Sequence, residues 1–96
     1  MSKKFEKQGW HDFLLLCSKA KSLEELDALF NFFFTIEEKE SLTTRYLIVQ
    51  ALLRGEDSQR EIAQNLKVSI SKITRGSNAL KTISSQLKSF LKKEME

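Results

Sequence analysis

The sequence predicts an all-α fold, a six-helix chain, and three observations carry that expectation. In 96 residues there is no proline and only three glycines, Gly9, Gly55 and Gly76, so helix breakers are scarce. Apolar residues recur at i, i+3, i+4 and i+7, the period of a helix with one buried face, and do not alternate as in a strand. Ser22 with Glu25, Thr35 with Glu38 and Ser58 with Glu61 each place a glutamate three residues after a hydroxyl, the spacing of an N-terminal capping box.

In chain order, Trp10, Phe13, Leu14 and Cys17 form the stripe of a first helix, and Leu15 and Leu16 widen it. Ser22 opens a second helix carrying Leu23, Leu26, Leu29, Phe30 and Phe33. Thr35 starts a short third helix that ends near Ser41. A longer helix runs from about Leu42 to Arg54, partly burying Leu42, Ile48, Leu52 and Leu53, and Gly55 stops it. Ser58 caps the next helix, with Ile62, Ala63 and Leu66 on one face. A tight turn at Lys67-Val68-Ser69 follows, and Ser69 is placed to cap a further helix. Val68 and Ile73 pack back on Ile62 and Leu66, small Ala63 allows a close crossing, and Ser71, Lys72, Thr74 and Arg75 face outward. Residues 58–81 thus have the spacing of a helix-turn-helix. The hydroxyl-rich stretch 82–85 opens the last helix, with Leu87, Phe90 and Leu91 on one face.

At this length the chain is one domain, 1–96, and a monomer buries only a modest fraction of its surface. The run Phe30-Asn31-Phe32-Phe33-Phe34 nevertheless presents four rings in five positions. Some of them need a second surface, which a partner subunit would supply; a crowded monomer core is the alternative.

Net charge is +3 and the isoelectric point lies near 9.1, compatible with a nucleic-acid partner. The distribution says more. Lys67, Lys72, Arg75, Lys81, Lys88, Lys92 and Lys93 follow one another with no acidic residue between them, over the same stretch as the helix-turn-helix, whereas Glu24, Glu25, Asp27, Glu37, Glu38 and Glu40 cluster upstream. Short hydroxyls and cations on an exposed helix suit base edges and phosphates.

Cys17 and His11 each stand alone, so neither an internal disulfide nor a metal site is expected; Cys17 reads as core and His11 as surface. No nucleophile–base arrangement and no glycine-rich phosphate loop occurs, so an enzyme is not expected. Without a transmembrane run or a signal peptide, the expected location is cytoplasmic, with no membrane partner.

The strings Leu52-Leu53-Arg54-Gly55-Glu56, Ser58-Gln59-Arg60-Glu61 and Ile73-Thr74-Arg75-Gly76-Ser77-Asn78 resemble the signature of the tryptophan operon repressor family. Asn31, Thr35 and Thr44-Arg45 fall in register without a gap, so the resemblance covers about residues 10–93. It implies an intertwined homodimer that takes L-tryptophan as corepressor and then binds double-stranded operator DNA of tryptophan supply genes, with no other cofactor. It implies that Arg45 and Arg75 sandwich the indole, that Arg75 also meets the carboxylate, and that Gly76 lets the ring approach. Phe32, Phe34 and Thr35 of the partner subunit would close the pocket. Ala79 stands where the family has a serine that helps hold the ammonium, and Lys72 where threonine is frequent, which implies weaker effector dependence. Towards DNA the resemblance implies a bidentate guanine contact from Arg60 and a phosphate contact from Gln59. Ile70, Ser71, Lys72 and Thr74 would be offered to the groove, and Ala63 stands where the family commonly has a DNA-facing lysine. The turn lacks the family's glycine, with Lys67 in its place.

Two other readings stay open on the residues. One is a regulator with the same reader that has lost amino-acid control, which Ala79 favours and Arg45 with Arg75 disfavours. The other is a helical module that takes a protein partner on its phenylalanine-rich surface.

Overall fold

A computed structural model describes residues 1–95, and among these every regular element is helical: α1 Lys3–Ser18, α2 Leu23–Phe33, α3 Ile36–Arg54, α4 Gln59–Leu66, α5 Ile70–Leu80 and α6 Ser85–Met95. The chain divides into two compact units, Met1–Lys39 and Glu40–Glu96.

In the first unit, α1 begins well before the Trp10 stripe because Ser2 caps it, its hydroxyl accepting from the Phe5 amide at 3.4 Å. Ser22 caps α2 in the same way, accepting from the Glu25 amide at 3.1 Å. Phe13 is the hub of an aromatic cluster, with its ring centroid 5.8 Å from that of Trp10, 6.2 Å from Phe30, 5.4 Å from Phe33 and 5.9 Å from Phe34. Offset and edge-on pairs at such distances are favourable. Even so, no residue of α1 or α2 is buried, and Phe32 remains 80% exposed. Cys17 is half-buried, outside any core, and His11 is exposed as expected.

The sequence reading broke the chain near Ser41, and the structure corrects it: α3 is continuous from Ile36 to Arg54. Nothing in that stretch ends a helix. It holds neither glycine nor proline, Thr35 and Glu38 close a reciprocal capping box (Thr35 amide to Glu38 Oε1 2.8 Å, Glu38 amide to Thr35 Oγ1 3.1 Å), and Glu37 and Glu38 favour the positive N-terminal end. The helices read along the chain thus number seven against the six predicted; these two expected pieces are one helix, and six are found among the described residues. Leu42, expected partly buried, is 52% exposed. Gly55 ends α3 with φ of +68°, the left-handed conformation that glycine adopts without strain.

The second unit has a small core of its own. Ile48 from α3, Ile62 and Ala63 from α4 and Ile73 from α5 form one buried cluster, with Ala51, Leu52, Leu66 and Val68 packed against it. Ile62 and Ile73 are almost wholly removed from water, each contributing about 1.5–3 kcal/mol by burial. The Ser58–Glu61 box that opens α4 is complete, at 3.0 and 3.1 Å. Lys67 then takes φ of +56°, so a lysine adopts the turn conformation usually left to glycine. Ser69 occupies the cap position of α5, but its hydroxyl makes no cap bond; it lies 3.0 Å from the Ser71 hydroxyl. At α6 the cap is Ser84, whose hydroxyl accepts from the Leu87 amide at 3.1 Å. Gln50 Nε2 donates to the Met95 carbonyl at 3.4 Å, and the Met95 side chain is buried.

Candidate functional site

Between α3 and α5 lies a cavity of about 390 Å³, within the range of small-molecule sites. From α3 it is lined by Ser41, Thr44, Arg45, Ile48 and Val49, which recur at helical spacing on one face; from α5 come Lys72, Arg75, Gly76 and Ala79, a matching stripe. The two helices approach closely below it. A Cβ built on Gly76 would lie 3.0 Å from Ile48 Cγ2 and 3.5 Å from Leu52 Cδ1, so the structure supplies a packing reason for this glycine beside the ligand-facing one.

Of the residues expected to hold an effector, Arg45, Arg75, Gly76 and Ala79 therefore line one cavity. Phe32, Phe34 and Thr35 belong to the first unit. Phe32 is exposed near the end of α2, Phe34 is its C-terminal cap residue, and Thr35 caps α3. Lys72, expected to face DNA, also lines the cavity. Sequence reasoning placed Thr44 in the family register and Ile48 as partly buried but assigned neither, nor Ser41 and Val49, to a cavity; reading α3 as continuous would have added Ser41 to the stripe that Thr44, Arg45, Ile48 and Val49 share.

The chemistry of the lining is one-sided. Arg45, Lys72 and Arg75 are cations, Ser41 and Thr44 bring hydroxyls, Ile48 and Val49 make an aliphatic floor, and none of the lining residues is acidic. A guanidinium can stack on an aromatic ring and fork onto a carboxylate. An aromatic acid is the kind of ligand such walls can hold.

On the solvent side of α5, Ile70, Ser71, Lys72 and Thr74 are exposed, and so are Gln59 and Arg60 at the start of α4. The Thr74 hydroxyl lies 3.1 Å from the Ile70 carbonyl and 3.3 Å from Gln59 Oε1, tying the two helices together and leaving the amide nitrogen of Gln59 as the donor available outward. Ala63 does not share this face. It is buried in the cluster with Ile48, Ile62 and Ile73, so its expected place among the DNA-facing residues is corrected. At the head of α4 the backbone N–H of Ser58, and next its hydroxyl, hold the Glu61 carboxyl below its ordinary range. Among the described residues no cluster of His, Cys, Asp or Glu is arranged to hold a metal, and no helix is long and apolar enough to cross a membrane.

Residues 8–95 match the family model described as Trp repressor protein. The chain is 53% identical over 92 residues to the Trp operon repressor homolog of Chlamydia caviae, covering 96% of this chain and 91% of that one. It is 50% identical over 90 residues to the homolog of Chlamydia trachomatis serovar D, covering 94% and 96%. With the homolog of Vibrio parahaemolyticus it shares 41% identity over 96 residues, covering 100% and 93%. Similarity of this extent leaves no long stretch unaccounted for, and the chain belongs to the Trp repressor family: it is a transcriptional repressor and not an enzyme.

Proposed function

We propose that the chain is a cytoplasmic, L-tryptophan-dependent repressor that binds operator DNA of tryptophan supply genes as an intertwined homodimer, each subunit acting as a single domain over residues 1–96. The observation that carries the reading is Arg75. It lines the cavity from a helix whose other exposed residues, Ser71 and Thr74 among them, have the chemistry of a groove-facing surface. In this reading α4, the turn at 67–69 and α5 are the helix-turn-helix. Arg75 and Arg45 stack on the indole, and Arg75 forks onto the carboxylate. Phe32, Phe34 and Thr35 of the partner subunit complete the pocket. The bound ring acts as a wedge that fixes α5 in the posture DNA requires.

The effect on DNA is then a population shift. L-tryptophan raises operator affinity only as far as it binds the DNA-competent state better than the other. Arg60 makes the bidentate base contact, Gln59 a phosphate contact through its free amide nitrogen, and Ile70, Ser71, Lys72 and Thr74 meet the groove. Dimerisation is supported by the first unit, where Phe5, Trp10, Phe32 and Phe33 are all more than half exposed. A second copy related by a twofold axis covers such a face with the same face.

Calorimetric titration of the folded protein with L-tryptophan tests the reading. Wild type takes up the ligand with measurable heat, whereas Arg75→Ala shows none and remains a dimer by light scattering. A wild type that binds no L-tryptophan overturns effector control, and an Arg75→Ala variant that binds as tightly as wild type removes Arg75 from the site.

A further inference from the structure

The charge of the α3–α5 cavity goes beyond what L-tryptophan needs. Arg45, Lys72 and Arg75 line it together, and no carboxylate does. L-tryptophan has no net charge: its carboxylate satisfies one cation, while its ammonium enters a site that already holds three. Ala79, one helical turn beyond Arg75 on the same wall, offers no hydroxyl to accept from that ammonium. Lys72 adds to the imbalance through its position. It lies in the first turn of α5, where the helix end is itself electropositive, and that turn contains no acidic residue to offset it.

We infer that Lys72 is a specificity-determining residue of this cavity, a third cation that biases it towards aromatic carboxylates of net negative charge over the zwitterionic amino acid. The inference rests on the reading of the cavity as the effector site. Lys72 is exposed and lines the cavity, and a lysine ammonium on its flexible stem acts on a carboxylate as a point charge that needs no fixed geometry. An ammonium on the ligand is repelled by the same charge that attracts the carboxylate. Removing Lys72 therefore weakens a purely anionic ligand and leaves the zwitterion nearly unaffected, because for the zwitterion attraction and repulsion offset one another. For an exposed charge the effect is a factor of about 3 to 5.

The test is calorimetric and contains no DNA. L-tryptophan and indole-3-propionate, which keeps ring and carboxylate but lacks the ammonium, are titrated into wild type, Lys72→Gln and Lys72→Arg. Expected is a ratio of affinities, anion over zwitterion, that falls about 3- to 5-fold in Lys72→Gln, persists in Lys72→Arg, and shrinks in wild type at high salt as the charge is screened. A purely structural role for Lys72 would change both ligands together. If both ligands bind wild type and Lys72→Gln with the same ratio, the role given to Lys72 is overturned while the effector site stands. If neither ligand binds wild type, the effector reading fails, and this inference with it.

Discussion

In Glu40–Glu96, Ile48, Ile62, Ala63 and Ile73 are taken out of water by three helices that meet around them, whereas in Met1–Lys39 no residue of α1 or α2 is buried. Yet the first unit is the richer in large apolar side chains: it holds Trp10 together with Phe5, Phe13, Phe30, Phe32, Phe33 and Phe34. Each aromatic ring has some 150–250 Å² to bury, the largest burial gain available to the chain. Content and burial therefore run in opposite directions. The second unit carries a finished core of small aliphatics that supports a cavity and an exposed helix; the first carries an unfinished aromatic core, and in the proposed dimer a second copy finishes it.

Substitutions in the two units should differ in kind. Ile73→Ala opens a cavity in a site already sealed, and should cost about 2–5 kcal/mol of unfolding free energy in urea titration. Phe32→Ala removes a ring that is mostly in water in the single chain, so its effect should appear in association: the dimer dissociates at higher protein concentration, read by light scattering on dilution. A Phe32→Ala dimer that survives dilution as well as wild type would mean that the partner does not cover this face.

A smaller effect is expected from Arg60→Ala, which alters nothing in either core. Loss of a bidentate base contact costs specific operator affinity about 1–3 kcal/mol, measured by binding titration against operator and random DNA. Equal losses on both would reassign Arg60 to phosphate.

How much of this could be read in the sequence also divides by region. The second unit was legible because local signals agreed. Ser58 with Glu61 starts α4, Gly55 ends α3, and Ile62, Leu66, Val68 and Ile73 meet as their spacing requires. Two of its features were not. A serine at position 41 resembles a boundary, but without a glycine or proline beside it the helix continues; the misplaced break separated Ser41 from the stripe of Arg45. Ala63 matched the family's DNA-facing position, yet the chain's own packing buries it. In the first unit, Thr35 with Glu38 was plain, but which rings lie uncovered depends on tertiary packing that periodicity does not encode. Arg45 and Arg75 were found through the family signature; that Lys72 shares their cavity needed the structure.

The smallest effect concerns the turn. Lys67 holds a left-handed conformation that disfavours a side chain by about 1–2 kcal/mol, and glycine gives back up to about 1 kcal/mol through its freer unfolded chain. Lys67→Gly should therefore raise unfolding free energy by no more than about 1 kcal/mol. A loss of stability would show that the lysine side chain makes a stabilising contact of its own.

The central claim is that one helix carries both the ligand wall and the DNA face, so that occupancy of the cavity sets operator affinity. The most direct test is the affinity of the wild-type protein for the proposed operator DNA, with and without saturating L-tryptophan, at fixed salt. Expected is a gain of about 5- to 150-fold with ligand, the usual range of coupling between two sites. The gain should vanish in Arg75→Ala. Operator binding of equal strength in the presence and absence of L-tryptophan would contradict the claim.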